Sequence, residues 1–240
     1  MALFVGTSGW DYPEWKGEFY PSALRRADFL DYYSSRLSAC EVNATFHRIH
    51  TKETFQRWIT STPSDFVFAV KVHRRLTHTK QIGNPSYVAF LRRFLETLEP
   101  FDDRLRVLLV QFPPTRERDD EALEWLLANI ANQVRCAFEF RHVSWETPEV
   151  ADRLAAKGAT VCLSDTTGEV PAALPPGPLG YVRLRADHYT DEQREGWRSL
   201  LEREAAGRNV YAFGKHKEVP ANDPHTGAGF AEWLSRETGS

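Results

Sequence analysis

A stretch near the middle of the chain, CAFEFRHVSW, sets charged side chains inside an apolar, strand-like segment. Glu139 can act as a general acid or base, Arg141 can clamp an anion, and His142 can assist proton transfer. Charged groups are costly inside a protein unless they are paired. The segment therefore predicts a polar site at the point where this strand ends.

Charged or amide side chains recur at or just beyond the ends of the other predicted strands. Because strand side chains alternate, one set faces a barrel axis and the other set faces the helices. Glu139 and Arg141 share one side of their strand, while Phe138 and Phe140 share the other. We expect the following residues to converge on one charged pocket: Glu41, Asn43, Lys71, Gln111, Glu139, Arg141, Asp165, Arg183, Arg185 and Lys215.

We predict that Glu139, Asp165 and His142 are the catalytic residues of this pocket. Cations outnumber carboxylates in the set, which favours a small anionic ligand that carries a phosphate or a carboxylate. Trp10 lies nearest to the end of the first strand and could stack on a base or a sugar. The predicted ligand-binding residues are Trp10, Glu41, Asn43, Lys71, Gln111, Arg141, Trp145, Arg183 and Lys215.

Eight short apolar runs alternate with helical patterns along the chain. This alternation predicts an α/β protein that forms a single (β/α)8 TIM-type barrel over residues 1–240. A doubly wound open sheet is the main alternative, but the chain has no Gly-rich dinucleotide fingerprint. Residues 166–178 are rich in Pro and Gly and could form a plain loop in place of a helix. The predicted strands are 3–8, 39–43, 66–71, 106–112, 134–140, 159–165, 180–185 and 209–213, and the clearest helices are 84–98, 147–158, 190–201 and 227–237.

Composition and charge narrow the possible classes of protein. The net charge is −3 and the isoelectric point is about 6.3, which leaves nucleic acid possible as a partner but does not favour it. No apolar run approaches the ~20 residues of a membrane span, so we expect no membrane association. Cys40, Cys136 and Cys162 lie in apolar contexts without C-x-x-C spacing, so we expect buried, reduced thiols and a cytoplasmic location.

Six motifs in order resemble the YecE-like family, also known as domain of unknown function 72. They are FVGTSGW, EVNATFHR, LLVQFPP, AFEFRHVSW, SDTTG and YVRLRA, and the resemblance extends from Phe4 to about Asn222. It implies a TIM-type barrel, and it leaves the reaction unassigned. The family pattern marks Glu41, Asn43, Phe46, Glu139, Arg141, His142, Trp145, Asp165 and Arg183.

The chain departs from the family pattern in two places. His47 stands where the family commonly has Tyr. After the last strand, where the family tends to have two asparagines and a Gly-rich turn, this chain has Gly214, Lys215 and His216, and Asn222 follows later. Ligand contacts made by that turn in other members are therefore not expected to carry over.

We expect an enzyme, with hydrolysis and isomerase or lyase chemistry both open. No cofactor is required by any motif, and no ligand spacing typical of a metal site is present. A divalent metal is possible, in which case Glu41, Glu139, Asp165 and His142 would be its ligands in a phosphodiester hydrolase or nuclease. The third alternative is a barrel that binds a metabolite without turnover.

Overall fold

The computed structural model describes residues 1–215 and 219–239, and the described chain forms one sheet of parallel strands. The strands are β1 (Leu3–Thr7), β2 (Ala39–Val42), β3 (Val67–Lys71), β4 (Leu105–Gln111), β5 (Cys136–Glu139), β6 (Thr160–Val161), β7 (Leu163–Asp165), β8 (Leu179–Leu184) and β9 (Asn209–Gly214). They are hydrogen-bonded in the order β6-β5-β4-β3-β2-β1-β9-β8-β7. The α/β barrel predicted from the sequence is confirmed.

The number of strands differs from the expected eight because the predicted strand 159–165 is divided at Cys162. β6 pairs with β5 on one side, and β7 pairs with β8 on the other. The amide of Cys162 still donates to the carbonyl of Phe138 at 2.8 Å. The two ends of the sheet are thus consecutive pieces of one segment, which leaves the barrel nearly closed.

The helices surround the sheet and begin at the sites that the sequence indicates. Asn84 accepts a hydrogen bond from the amide of Tyr87, and Thr190 and Gln193 form a capping box. No helix occurs within 166–178, and no helix of the described residues is long and apolar enough to cross a membrane. The helices are α1 (Phe29–Ser34), α2 (Lys52–Thr60), α3 (Arg74–Thr77), α4 (Pro85–Thr97), α5 (Asp120–Leu126), α6 (Pro148–Ala156), α7 (Asp191–Ala205) and α8 (Gly227–Thr238), with short helical turns at Pro13–Trp15, Arg26–Asp28, Ala44–Phe46, Glu99–Arg104, Leu127–Ala131 and Val143–Trp145.

Two separate apolar clusters follow from the alternation of strand side chains. The larger cluster lies between the sheet and the helices and includes Phe138 and Val182. The smaller one is formed inside the barrel by residues of the opposite parity, such as Ala137 and Tyr181. At the carboxyl ends of the strands, several of the side chains that point into the barrel are charged. The functional sites of TIM-type barrels lie at this end.

Candidate functional site

Arg183 lies between two carboxylates at the centre of the barrel mouth. Its Nη2 is 2.9 Å from Oε1 of Glu41, and its Nη1 is 2.7 Å from Oε2 of Glu139. None of the three side chains is more than 2% exposed. Strands β2, β5 and β8 each supply one of them, so the ion pairs join three separate parts of the barrel. We call these three residues the central cluster.

Glu41 is fully engaged by its neighbours. Ser8 and Asn43 donate to Oε1 at 2.7 and 3.1 Å, and Tyr181 donates to Oε2 at 2.8 Å. Burial alone would raise the pKa of this carboxyl, but Arg183 and Arg185 together with these hydrogen bonds lower the pKa to about 2. Glu41 is therefore an ionised group whose oxygens are occupied by protein donors.

Glu139 is also a carboxylate whose oxygens accept hydrogen bonds from protein donors. Beyond Arg183, its Oε2 accepts from Gln111 at 2.6 Å and its Oε1 accepts from Nε of Arg141 at 2.9 Å. Burial opposes ionisation, but the two arginines and Gln111 lower its pKa. A carboxylate held in this way is a weak proton acceptor and a strong anchor for the guanidinium beside it.

Lys71 ends β3 beside the central cluster, and it is only 8% exposed. Its Nζ lies 4.0 Å from the centroid of the Phe46 ring. Within the described part of the chain, this ammonium forms no hydrogen bond and no ion pair. Burial and the charge of Arg183 lower its pKa to about 8, although Glu41 and Glu139 act in the opposite direction.

Arg185 is a further cation of the mouth that the predicted set of ligand-binding residues omitted. It shares the inward parity of Arg183, which is the sequence signal that could have included it. Its side chain is half-buried, and its guanidinium has no hydrogen-bond partner among the residues that the structure describes. Burial and the neighbouring Arg183 lower its pKa. The positive charges of Lys71, Arg141, Arg183 and Arg185 thus face the negative charges of Glu41 and Glu139, with two positive charges in surplus.

The other two predicted catalytic residues lie outside the central cluster. Oδ1 of Asp165 accepts from the amides of Thr167 and Gly168, and Oδ2 accepts from the hydroxyl of Tyr189 at 2.8 Å. Nδ1 of His142 lies 2.9 Å from Oγ of Ser144, at the start of the short helical turn Val143–Trp145. Both side chains stabilise the loop that follows their own strand.

Three predicted ligand-binding residues are engaged in packing or pairing. Trp145 is buried, its ring stacks on Phe140 with centroids 4.4 Å apart, and its Nε1 donates to the carbonyl of Arg116 at 2.9 Å. Lys215 forms an ion pair with Asp187. Trp10 is 9% exposed and meets Trp58 edge to face at 4.8 Å. The barrel mouth itself brings together Glu41, Asn43, Lys71, Gln111, Glu139, Arg141 and Arg183.

The motifs that build this mouth match a known family over almost the whole chain. Residues 4–239 match the family described as "Protein of unknown function DUF72". The chain belongs to the DUF72 family. The resemblance to the YecE-like family that the motifs indicate is thereby confirmed.

The chain is similar in sequence to a Bacillus protein and similar in fold to two solved DUF72 structures. The UPF0759 protein YunF of Bacillus subtilis is 28% identical, and the match covers 81% of this chain and 72% of that protein. A DUF72 family protein from Thermotoga maritima has a TM-score of 0.77 at 22% identity, and the match covers both chains completely. A second, from Enterococcus faecalis, has a TM-score of 0.74 at 17% identity, and the match covers 99% of this chain and 98% of that one. At these identities the solved structures support the fold alone.

The carboxylates of this DUF72 mouth are poorly placed to hold a metal ion. No group of three or more His, Cys, Asp or Glu side chains in the described ranges, 1–215 and 219–239, could do so. Arg183 occupies one oxygen of Glu41 and one of Glu139, and a divalent cation between them would have to displace a guanidinium. Asp165 is hydrogen-bonded to Tyr189, and His142 is hydrogen-bonded to Ser144.

The two segments in which the sequence is expected to depart from the family pattern follow β2 and β9 in the chain. The ring of His47 meets Phe46 edge to face at 5.0 Å, and His78 meets the same ring at 5.3 Å. The Phe46 ring thus contacts two imidazoles and the ammonium of Lys71. In the second departure, Lys215 is paired with Asp187, and His216 lies outside the described residues.

Proposed function

We propose that the barrel mouth binds a small anionic molecule that carries a phosphate or a carboxylate. The observation that carries this proposal is the pair of cations, Lys71 and Arg185, that have no carboxylate partner within the described residues. Buried charges are costly unless they are paired, and two such charges beside a third, Arg183, repel one another. An anion bound between them would supply the missing counter-charge, and the guanidinium of Arg185 offers a fork for two oxygens.

Lys71 is the residue of the mouth best suited to proton transfer. A pKa of about 8 lies close to neutral pH, where a general acid or base is most effective. Glu139, predicted from the sequence as the acid or base, has its oxygens occupied and its pKa lowered. We therefore propose that Glu41 and Glu139 orient Arg183, and that Lys71 exchanges a proton with a ligand held by Arg141 and Arg185. This favours isomerase or lyase chemistry over hydrolysis.

Two alternatives use the same mouth. Metal-dependent phosphodiester hydrolysis requires free carboxylates, whereas Glu41 and Glu139 are both held by Arg183. A barrel that binds an anionic metabolite without turnover would need the same cations and no proton transfer by Lys71. Nucleic acid as a partner has no support from the net charge of −3. Binding and proton transfer therefore have to be measured separately.

We place the protein in the cytoplasm as part of the same proposal. Its three cysteines are free and buried, and they form no disulfide. Free thiols persist where glutathione and thioredoxin keep proteins reduced. Localisation of a tagged full-length chain would test this part of the proposal independently of the ligand.

The test of the mouth is a panel of phosphorylated and carboxylated metabolites, screened by thermal shift at low ionic strength. Hits are then incubated with the protein in D2O, and deuterium incorporation is followed by NMR. We expect wild type and the exposed control Arg92→Gln to bind a hit and exchange one of its carbon-bound protons. Lys71→Met should retain the fold and lose the exchange. Binding without exchange or conversion would support the non-catalytic alternative, and the absence of any anionic hit would overturn the proposal.

A further inference from the structure

A cleft beside the barrel mouth has features of a second binding site. It lies between the loop that follows β1 and helix α2, and its volume of about 860 Å³ is within the range typical of small-molecule sites. Arg26 and Asp11, which form an ion pair, are among the residues that line it. Six other lining residues could contact a ligand: Trp10, Asn43, Arg48, His50, Arg57 and Trp58.

Asn43 contributes an unpaired acceptor to this cleft. Its Nδ2 lies 3.1 Å from Oε1 of Glu41. A carboxylate can only accept, so the amide nitrogen must be the atom that faces Glu41, and the orientation of the amide is fixed. Its Oδ1 is buried and has no hydrogen-bond partner in the part of the chain that the structure describes. A ligand that fills the cleft can satisfy this oxygen only with an N–H or O–H group.

His50 contributes an unpaired ring nitrogen. The side chain is 7% exposed, and its Nε2 is buried with no hydrogen-bond partner among the described residues. Burial and the charge of Arg48 lower the pKa of His50, which favours the neutral ring. Such a buried, unsatisfied nitrogen costs free energy that a hydrogen bond with a ligand would recover.

Aromatic rings and free cations complete the cleft. Trp58 is half-buried, and its ring contacts Trp10 at 4.8 Å and His50 at 5.4 Å. Arg48 and Arg57 are exposed, and neither is paired with a carboxylate within the described ranges. The guanidinium of Arg57 donates to the hydroxyl of Thr54 at 3.4 Å. The cleft thus combines a stacking surface, two unpaired polar atoms and two positive charges.

We propose that this cleft binds a nucleoside monophosphate. The base would stack on Trp58, polar groups of the base or ribose would pair with Asn43 and His50, and the phosphate would contact Arg48 and Arg57. These features favour this ligand over simpler ones: a bare anion cannot donate to Oδ1 of Asn43, and an uncharged nucleoside makes no ion pair with either arginine. The site is separate from the anion-binding mouth, although Asn43 adjoins both.

The experiment is a titration of the full chain with adenosine 5′-monophosphate, followed by tryptophan fluorescence and by calorimetry. Adenosine and inorganic phosphate are titrated separately as fragments, also into Arg185→Gln, so that phosphate bound at the barrel mouth is distinguished from phosphate bound in the cleft. We expect saturable binding of the monophosphate, at least about tenfold tighter than either fragment, because a charge-assisted contact is worth roughly that factor. Arg57→Gln, at an exposed position, should weaken it about tenfold, and His50→Phe should weaken it while retaining the ring volume.

The mouth variant Arg185→Gln separates this proposal from the proposed function. Binding of the monophosphate should be unchanged in Arg185→Gln and lost in a protein that carries both Arg48→Gln and Arg57→Gln. The opposite pattern would show that the nucleotide occupies the mouth, and it would overturn the cleft proposal. Absence of saturable binding in the wild type would also overturn it, whatever the result for the mouth.

Discussion

The ammonium of Lys71 lies 4.0 Å from the centroid of the Phe46 ring, in the position where a buried lysine would ordinarily have a carboxylate partner. The ring attracts the cation only weakly compared with an ion pair. Both nearby carboxylates, Glu41 and Glu139, are hydrogen-bonded to Arg183. This arrangement leaves a cation of lowered pKa facing the mouth, and the proposed proton transfer depends on it.

The first prediction concerns the pH dependence of stability. The pKa of Lys71 is lowered from its ordinary value of 10.5 to about 8, so between these values the unfolded chain holds a proton that the native chain has lost. Stability must then rise with pH across this window. Relative to Lys71→Met, the wild type should gain about 2 kcal/mol in free energy of unfolding between pH 7 and pH 9.5. Urea denaturation of both proteins measures this, and parallel pH profiles would contradict it.

The second prediction concerns Glu41, whose pKa of about 2 lies below its ordinary value of 4.5. Its contribution to stability is complete above pH 4.5 and is lost as the pH falls toward 2. Glu41→Gln removes a charge partner of buried Arg183 and should cost at least about 3 kcal/mol at pH 7. The exposed control Glu237→Gln should be near neutral. A Glu41→Gln protein as stable as the wild type would show that Arg183 does not need this partner.

The third prediction separates a structural role of Asp165 from a catalytic one. Tyr189→Phe removes the hydroxyl that donates to Oδ2 of Asp165 and accepts from the amide of Ala186. We expect a loss of about 1–3 kcal/mol in stability and no change in ligand affinity at the mouth. Tyr32→Phe, which alters a hydrogen bond with exposed Arg36, serves as the control. If affinity or turnover fell while stability held, Asp165 would belong to the reacting site.

The fourth prediction concerns the thiols. Cys40, Cys136 and Cys162 are fully or nearly fully buried, and burial raises the pKa of each. Thiolates are the reactive form, so the native protein should not react with a thiol reagent over minutes, and all three groups should react in denaturant. Rapid labelling of one cysteine in the native protein would show that its part of the barrel opens.

Alternation along the strands predicted much of the barrel mouth. The motif at Glu139 and Arg141 places these residues on the side opposite Phe138, and the structure confirms that parity. The same rule placed Glu41 and Arg183 on the inner side. A period-two pattern predicts orientation here because each strand of the barrel has only two faces, and successive side chains alternate between them.

Alternation did not predict which side chains would pair, or how deeply each would lie. Asp165 and Lys215 follow strands as expected, but they bind Tyr189 and Asp187 rather than the central cluster. Trp145 is packed on Phe140 because a large ring near a strand end gains more from burial than from exposure. The division of the strand at Cys162 is also not predicted, because the sequence around it reads as one apolar run. Such outcomes depend on partners distant in sequence.

The anion site at the barrel mouth is tested most directly by calorimetric titration of inorganic phosphate at low ionic strength into wild type, Arg185→Gln and the surface control Arg92→Gln. Saturable binding is expected for the wild type and for the control. In Arg185→Gln, affinity should fall about tenfold, as expected for the loss of one charge-assisted contact. Absence of binding in the wild type, or equal affinity in all three proteins, would contradict an anion site at the barrel mouth.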